Sequence, residues 1–193
     1  MVVMQQHRNY LPRKLRNFRA EYAQSISLCV LNAATLMRNR RKNPIPMVLA
    51  FLRGGNVKEI AKGVHLQLIP TKSGYEIMIN GQQAIILNEY ERLLYGLLFD
   101  NWTIWEKSFQ MPEAKLRRKI KNDCERYLST QIKISSGWGI TAMRNLYIQH
   151  LLENGVSKEQ VRGLLGLRDY WFELPKQEDI INQLKAKSLP IRF

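Results

Sequence analysis

Residues 141–167, TAMRNLYIQHLLENGVSKEQVRGLLGL, read as two helices joined by a tight turn. Thr141 is the expected N-cap of the first, which carries Met143, Leu146, Tyr147, His150 and Leu151 on one side. Asn154-Gly155 ends it, because glycine takes the left-handed backbone that a helix end calls for. Ser157 and Gln160 then form an S-x-x-Q capping box, with Val156 and Val161 at the flanking hydrophobic-staple positions. A second helix is therefore expected over 158–165, stopped by Gly166. Such a pair is one form of helix-turn-helix, whose second helix enters a DNA major groove.

The charge balance points the same way. Thirty Lys and Arg face sixteen Asp and Glu among 193 residues, a formal net charge of +14 with a pI near 10.0. Residues 1–62 hold twelve of the basic residues against Glu21 and Glu59 alone. An excess this uneven indicates a basic face or arm and a polyanionic partner, with solubility alone as the alternative. Hydrophobic residues at 45% and charged residues at 24% fit a globular chain, and 193 residues fit one domain. Cys29 and Cys124 are isolated, which supports neither a zinc site nor a disulfide framework. With no long apolar run and no signal-peptide core, the chain is expected to be soluble, intracellular and free of membrane.

Upstream, residues 10–42 place Leu15, Phe18, Tyr22, Ile26, Cys29, Ala33 and Leu36 at spacings of three and four, the pattern of an amphipathic helix or two in series. Arg38, Arg40, Arg41 and Lys42 sit at its end, before Pro44 and Pro46 interrupt it. A second apolar run, MVLAFL, leads through Gly54 and Gly55 to a short helix in NVKEIAKGV. Residues 64–88 change period: VHLQLIP, YEIMIN and QAIIL are β-prone runs separated by the turns TKSG and GQ, giving a three-stranded antiparallel meander. Helical spacing returns in NEYERLLYGLLFDNW and in MPEAKLRRKIKNDCERYL. In the latter Leu116, Ile120, Cys124 and Tyr127 make the apolar stripe, and Arg117, Arg118 and Lys121 point away from it. Those three are either a phosphate-facing patch or a solvated face. A short amphipathic helix, QEDIINQLKAK, precedes the tail.

The stretch MRNLYIQHLLENGVSKEQVRGLLG resembles the C-terminal part of tyrosine recombinases, the phage-integrase family, whose signature is H-x-L-R, a helix ending H-L-L-x-x-G, and a helix ending L-G-H. Arg144 falls on the arginine of the first motif, residues 150–155 match the second, and Leu164-Leu165-Gly166 matches the third. LRGGNVKEIAK is similar to the family's G-x-R-x-x-E segment, with Glu59 on its glutamate. The resemblance implies two arginines and a lysine around a scissile phosphate, two His-like proton-transfer positions and a nucleophilic tyrosine. Here the corresponding positions are Asn56, Arg144, Gln82, Thr141 and Leu167, and the nucleophile's place near Pro175 holds no tyrosine. Tyr170 and Trp171 lie close to it but out of register. Each missing group should reduce a phosphoryl-transfer rate by orders of magnitude. An arginine alone still binds phosphate, since its planar guanidinium donates paired hydrogen bonds; the alternative for Arg144 is a structural ion pair. His150, on the apolar face, reads as a buried, hydrogen-bonded histidine.

The resulting expectation is a mainly helical α+β domain, resembling a recombinase catalytic domain with vestigial site residues, that binds double-stranded DNA without cutting it. Its expected DNA contacts are Arg38, Arg40, Arg41, Lys72, Arg117, Arg118, Lys121, Arg144 and Arg168. No cofactor, metal or small-molecule substrate is expected. The use would be that of a transcriptional regulator or recombination accessory factor at the nucleoid, with homo-oligomerisation through residues 176–193. The enzymatic alternative is an atypical recombinase using Tyr170 or Tyr147. An RNA-binding or structural protein is the third class.

Overall fold

A computed structural model describes residues 20–21, 24–100, 111–135, 137–165 and 177–191. Its chain order is β1 (Ala20–Glu21), α1 (Ile26–Asn39), α2 (Ile45–Leu52), α3 (Val57–Lys62), β2 (Leu66–Thr71), β3 (Gly74–Ile79) and β4 (Gln82–Gln83). There follow α4 (Glu89–Asp100), α5 (Glu113–Asp123) running into a π-helical turn (Cys124–Leu128), β5 (Lys133–Ile134), α6 (Ile140–Glu153), α7 (Lys158–Leu164) and α8 (Gln177–Lys185). The architecture is α+β and mainly helical, with a three-stranded antiparallel sheet in the order β2-β3-β4. Among the described residues no helix is long and apolar enough to cross a membrane.

The apolar run at 45–52 becomes the centre of the molecule. Every residue of α2 is buried, as expected of a helix with no polar face. Packed around it are α1, α4, α5 and α6, which contribute Met37, Leu98, Leu116, Ile120 and Leu146 to the same core. A smaller apolar cluster joins Ile148, Leu151, Val156, Val161, Ile180 and Leu184, and Tyr147 packs against both. The staple residues Val156 and Val161 thus belong to a core that α8 completes.

Helix ends follow side-chain and backbone chemistry. In α7 both bonds of the Ser157/Gln160 capping box are present. The C-terminus of α6 closes as a Schellman motif, with Gly155 N–H donating to Leu152 O and Val156 N–H to Leu151 O, and Gly155 at φ +77°. Helix α2 ends the same way through Gly54 and Gly55. Helix α1 repeats the pattern with an arginine in glycine's place: Arg41 sits at φ +56°. In the meander, Asn80 and Gly81 both take positive φ, as a two-residue hairpin turn with right-handed strands requires.

Several expectations are corrected. Within residues 10–42, expected as one helix or two in series, Ala20–Glu21 instead pair with Lys133–Ile134 as a small antiparallel ladder and a helix begins at Ile26, N-capped by Ser25; residues 10–19 lie outside the described residues. Leu36 is 43% exposed, and Met37 replaces it in the core. Thr141 is no cap; Gly139 is, and Thr141 lies exposed in the first turn of α6. Of QAIIL only the first residue belongs to a strand; Ala84 N–H still donates to Ile77 O of β3, and beyond it the tail holds Ile86, whose N–H donates to Ser188 Oγ and whose O accepts from Leu189 N–H. Ile191 then bridges Tyr75. Segment 176–193, for which packing on a second copy and docking on its own chain are both open, lies over its described part against its own sheet and α7 in this single chain, which does not bear on a second copy.

Candidate nucleic-acid interface

The Gly54-Gly55 turn brings α6 against the end of α2. A Cβ on Gly55 would stand 2.8 Å from Ile140 O and 3.1 Å from Arg144 Cβ, and one on Gly54 would stand 3.1 Å from the Tyr147 ring. Only glycines leave room for that approach at φ +55° and +74°. Its result is a cleft of about 720 Å³ whose wall includes Arg53, Lys58, Arg117 and Arg144. Asn56 and Gln82 also line it, so three of the five positions that the resemblance singles out share one site.

Glu59 organises the polar end of this cleft. Its carboxylate accepts from Arg53 Nε at 3.1 Å, from Asn56 Nδ2 at 3.1 Å and from Asn80 Nδ2 at 2.8 Å. Arg53 also places Nη2 2.8 Å from it. Asn56 returns the favour to the backbone by capping α3, its Oδ1 accepting from Glu59 N–H. The residue at the expected arginine position is therefore a helix cap, and the arginine at this end of the cleft is Arg53, which the sequence reading did not single out. Arg144 differs from it. Among the described residues the Arg144 side chain makes no ion pair and no hydrogen bond, so the structural ion pair considered for it is not found there.

Of the other expected contacts, Arg117 lines the cleft while paired with Glu113. Arg118 turns to a second groove with Lys42. Arg38, Arg40 and Arg41 are exposed at the end of α1, next to that groove's Lys42. Lys121 is exposed 3.7 Å from Glu125, and Lys72 stands at the tip of the β2–β3 turn. Leu167, Arg168, Tyr170 and Trp171 lie outside the described residues.

At the other end of α6 the polar groups gather around one buried histidine. His150 is fully buried, with Nε2 3.3 Å from Glu91 Oε2 and Nδ1 3.2 Å from Asn154 Nδ2. An amide nitrogen only donates, so Nδ1 is the acceptor there, while Nε2 lies close to Glu91 without hydrogen-bond geometry. Leu87 N–H donates to the same carboxylate, and Asn88 links Asn154 to the buried Ser27. Glu153 meanwhile accepts from Ile26 N–H at the start of α1. This network ties α1, α4 and α6 together, and its His150 ring stands beside Tyr147 of the cleft.

Burial and the Glu91 carboxylate push the phenols of Tyr147 and Tyr95 well above their ordinary value, against the opposing charge of Arg53. Cys29 and Cys124 are both buried and unbonded to each other. Among the described residues no group of three or more His, Cys, Asp or Glu could hold a metal ion. Comparison with protein-family models, with curated proteins and with solved structures gives no match.

Proposed function

We propose that this chain is a double-stranded-DNA-binding protein on a frame resembling the tyrosine recombinase catalytic domain, and that it occupies DNA without cutting it. The observation that carries this reading is the cleft's charge: Arg53, Lys58, Arg117 and Arg144 line it against one carboxylate, Glu59, which is already saturated by neighbours. A surface of that sign, with an uncommitted guanidinium, fits phosphate. Cleavage would need a nucleophile as well. Tyr147 borders the cleft, but its phenol is shifted in the direction that disfavours an attacking phenolate. Asn56 and Gln82 supply no charge where the resemblance implies an arginine and a lysine. The role that suits such a protein is a transcriptional regulator or an accessory factor in recombination.

The test combines binding with trapping. The protein is titrated with a short random duplex over a salt series, and in parallel with suicide-nicked duplex followed by denaturation. Expected are binding with a log–log salt slope of about −3 to −4, from the four cleft cations, and no denaturation-resistant adduct. A covalent adduct on a mapped tyrosine would overturn the non-cutting part. Salt-insensitive binding, or none, would overturn the whole.

A further inference from the structure

The cations divide between two sites. Besides the Arg144 cleft, a groove of about 660 Å³ runs between the end of α1 and α5, lined by Lys42, Lys115, Arg118, Lys119 and Arg126 around Asp123 and Glu125. It shares no lining residue with the cleft. Lys119 Nζ pairs with Asp123 at 2.9 Å, whereas Lys42, Lys115, Arg118 and Arg126 make no ion pair among the described residues. The charges of Lys119, Arg126 and Lys42 all bear on the Asp123 carboxylate, so one acid is set among three cations. The groove has a large unspent positive charge.

Its direction matters as much as its sign. At about 100° per residue, Lys115, Arg118, Lys119 and Asn122 lie roughly 100–200° around α5 from Arg117, which faces the cleft. The two sites therefore face different directions from one helix, and a straight duplex seated in the cleft does not also lie along the groove. On this basis, and resting on the DNA-binding reading above, we infer that the groove is a second seat for duplex DNA and that one protein molecule holds two duplex segments at once. The π-helical turn at Cys124–Leu128 serves this seat by carrying Arg126 onto the same side as Lys42.

The experiment is a bridging assay with the full chain: bead-bound duplex captures a free labelled duplex only through protein. Alongside it, affinity for a single short duplex is measured. Lys42→Glu/Arg126→Glu alters the groove, Lys62→Glu/Lys187→Glu changes the net charge equally at exposed sites elsewhere, and Lys42→Gln/Arg126→Gln is the milder pair should the first unfold. Expected is capture by the unaltered protein and by the control, a loss of capture of about tenfold or more in the groove variants, and single-duplex affinity within about threefold throughout. Capture by the groove variants equal to the control overturns the inference, as does an unaltered protein that binds duplex but never bridges. Equal loss of capture and single-duplex affinity means one bent duplex spans both sites, which also overturns it. Capture relieved by RNA but not by duplex DNA overturns the choice of partner. If the unaltered protein binds no duplex at all, the cleft reading fails first and this one with it.

Discussion

The two ends of α6 put similar residue types to opposite uses. Toward its C-terminus His150 is buried, Asn154 half-buried and Glu153 exposed, and each stands by a partner from another element: Glu91, Asn88 and the start of α1. Toward its N-terminus Arg144 stands at the cleft with no partner among the described residues. Burial makes an unpaired polar group costly, so the drier end gathers partners for its polar groups. The wet end is under no such demand. A charge is left uncommitted there, and that difference sets the two ends of one helix apart.

Breaking the dry end should have the largest effect. Glu91→Ala strands the Leu87 amide and the His150 ring in the interior, and should cost about 3 kcal/mol, seen as a fall in melting temperature of roughly 6–12 °C. Affinity for duplex measured well below the transition should be unaltered; a parallel loss would join the two ends that are here held distinct. Gly55→Ala attacks the joint between them. With φ at +74° and Ile140 O only 2.8 Å from the added methyl, it should destabilise by about 1–3 kcal/mol and also weaken duplex binding, because α6 must shift. Calorimetry and titration on the same sample would check both.

At the wet end the signs reverse. Arg144→Ala should raise Kd for duplex about tenfold and reduce the salt slope by about one, with the melting temperature moving by less than about 2 °C. A collapse of folding instead would return Arg144 to a structural role. Arg41→Gly should stabilise by about 1 kcal/mol in chemical denaturation, since Arg41 holds the left-handed position that glycine fills at the ends of α2 and α6. Smallest of all, Glu113→Ala removes an exposed partner of Arg117; stability should change by less than about 1 kcal/mol while duplex binding tightens slightly.

Features that depend on near neighbours in the chain were legible in the sequence. The capping box at Ser157, the glycine ending α6, the 116-120-124-127 stripe and the meander rest on spacings of a few residues, and each is present. His150 was legible because an apolar face dictates burial whatever the fold. Features that depend on distant segments were not. Nothing local in LRGGN distinguishes Arg53, which reaches the cleft through a turn closed on Glu59 and Asn80, from Asn56, which caps α3. The basic residues of α5 read as one patch, yet Arg117 and Arg118 serve different sites because adjacent side chains diverge by about 100°. Thr141 misled for the opposite reason: its residue type suits a cap, but helical geometry starts one residue earlier, at Ile140.

The bridge from Ile191 to Tyr75 has a consequence for synthesis. Strand β4 is two residues long and covers only the Met78–Ile79 end of β3, so the Tyr75 end of that edge is completed by residues that leave the ribosome much later. Until they arrive, a nascent chain carries an open strand edge, the kind of surface on which neighbouring nascent chains associate. Translation of residues 188–191 is therefore the step that seals the sheet, and ribosomes stalled short of it should yield a product prone to self-association.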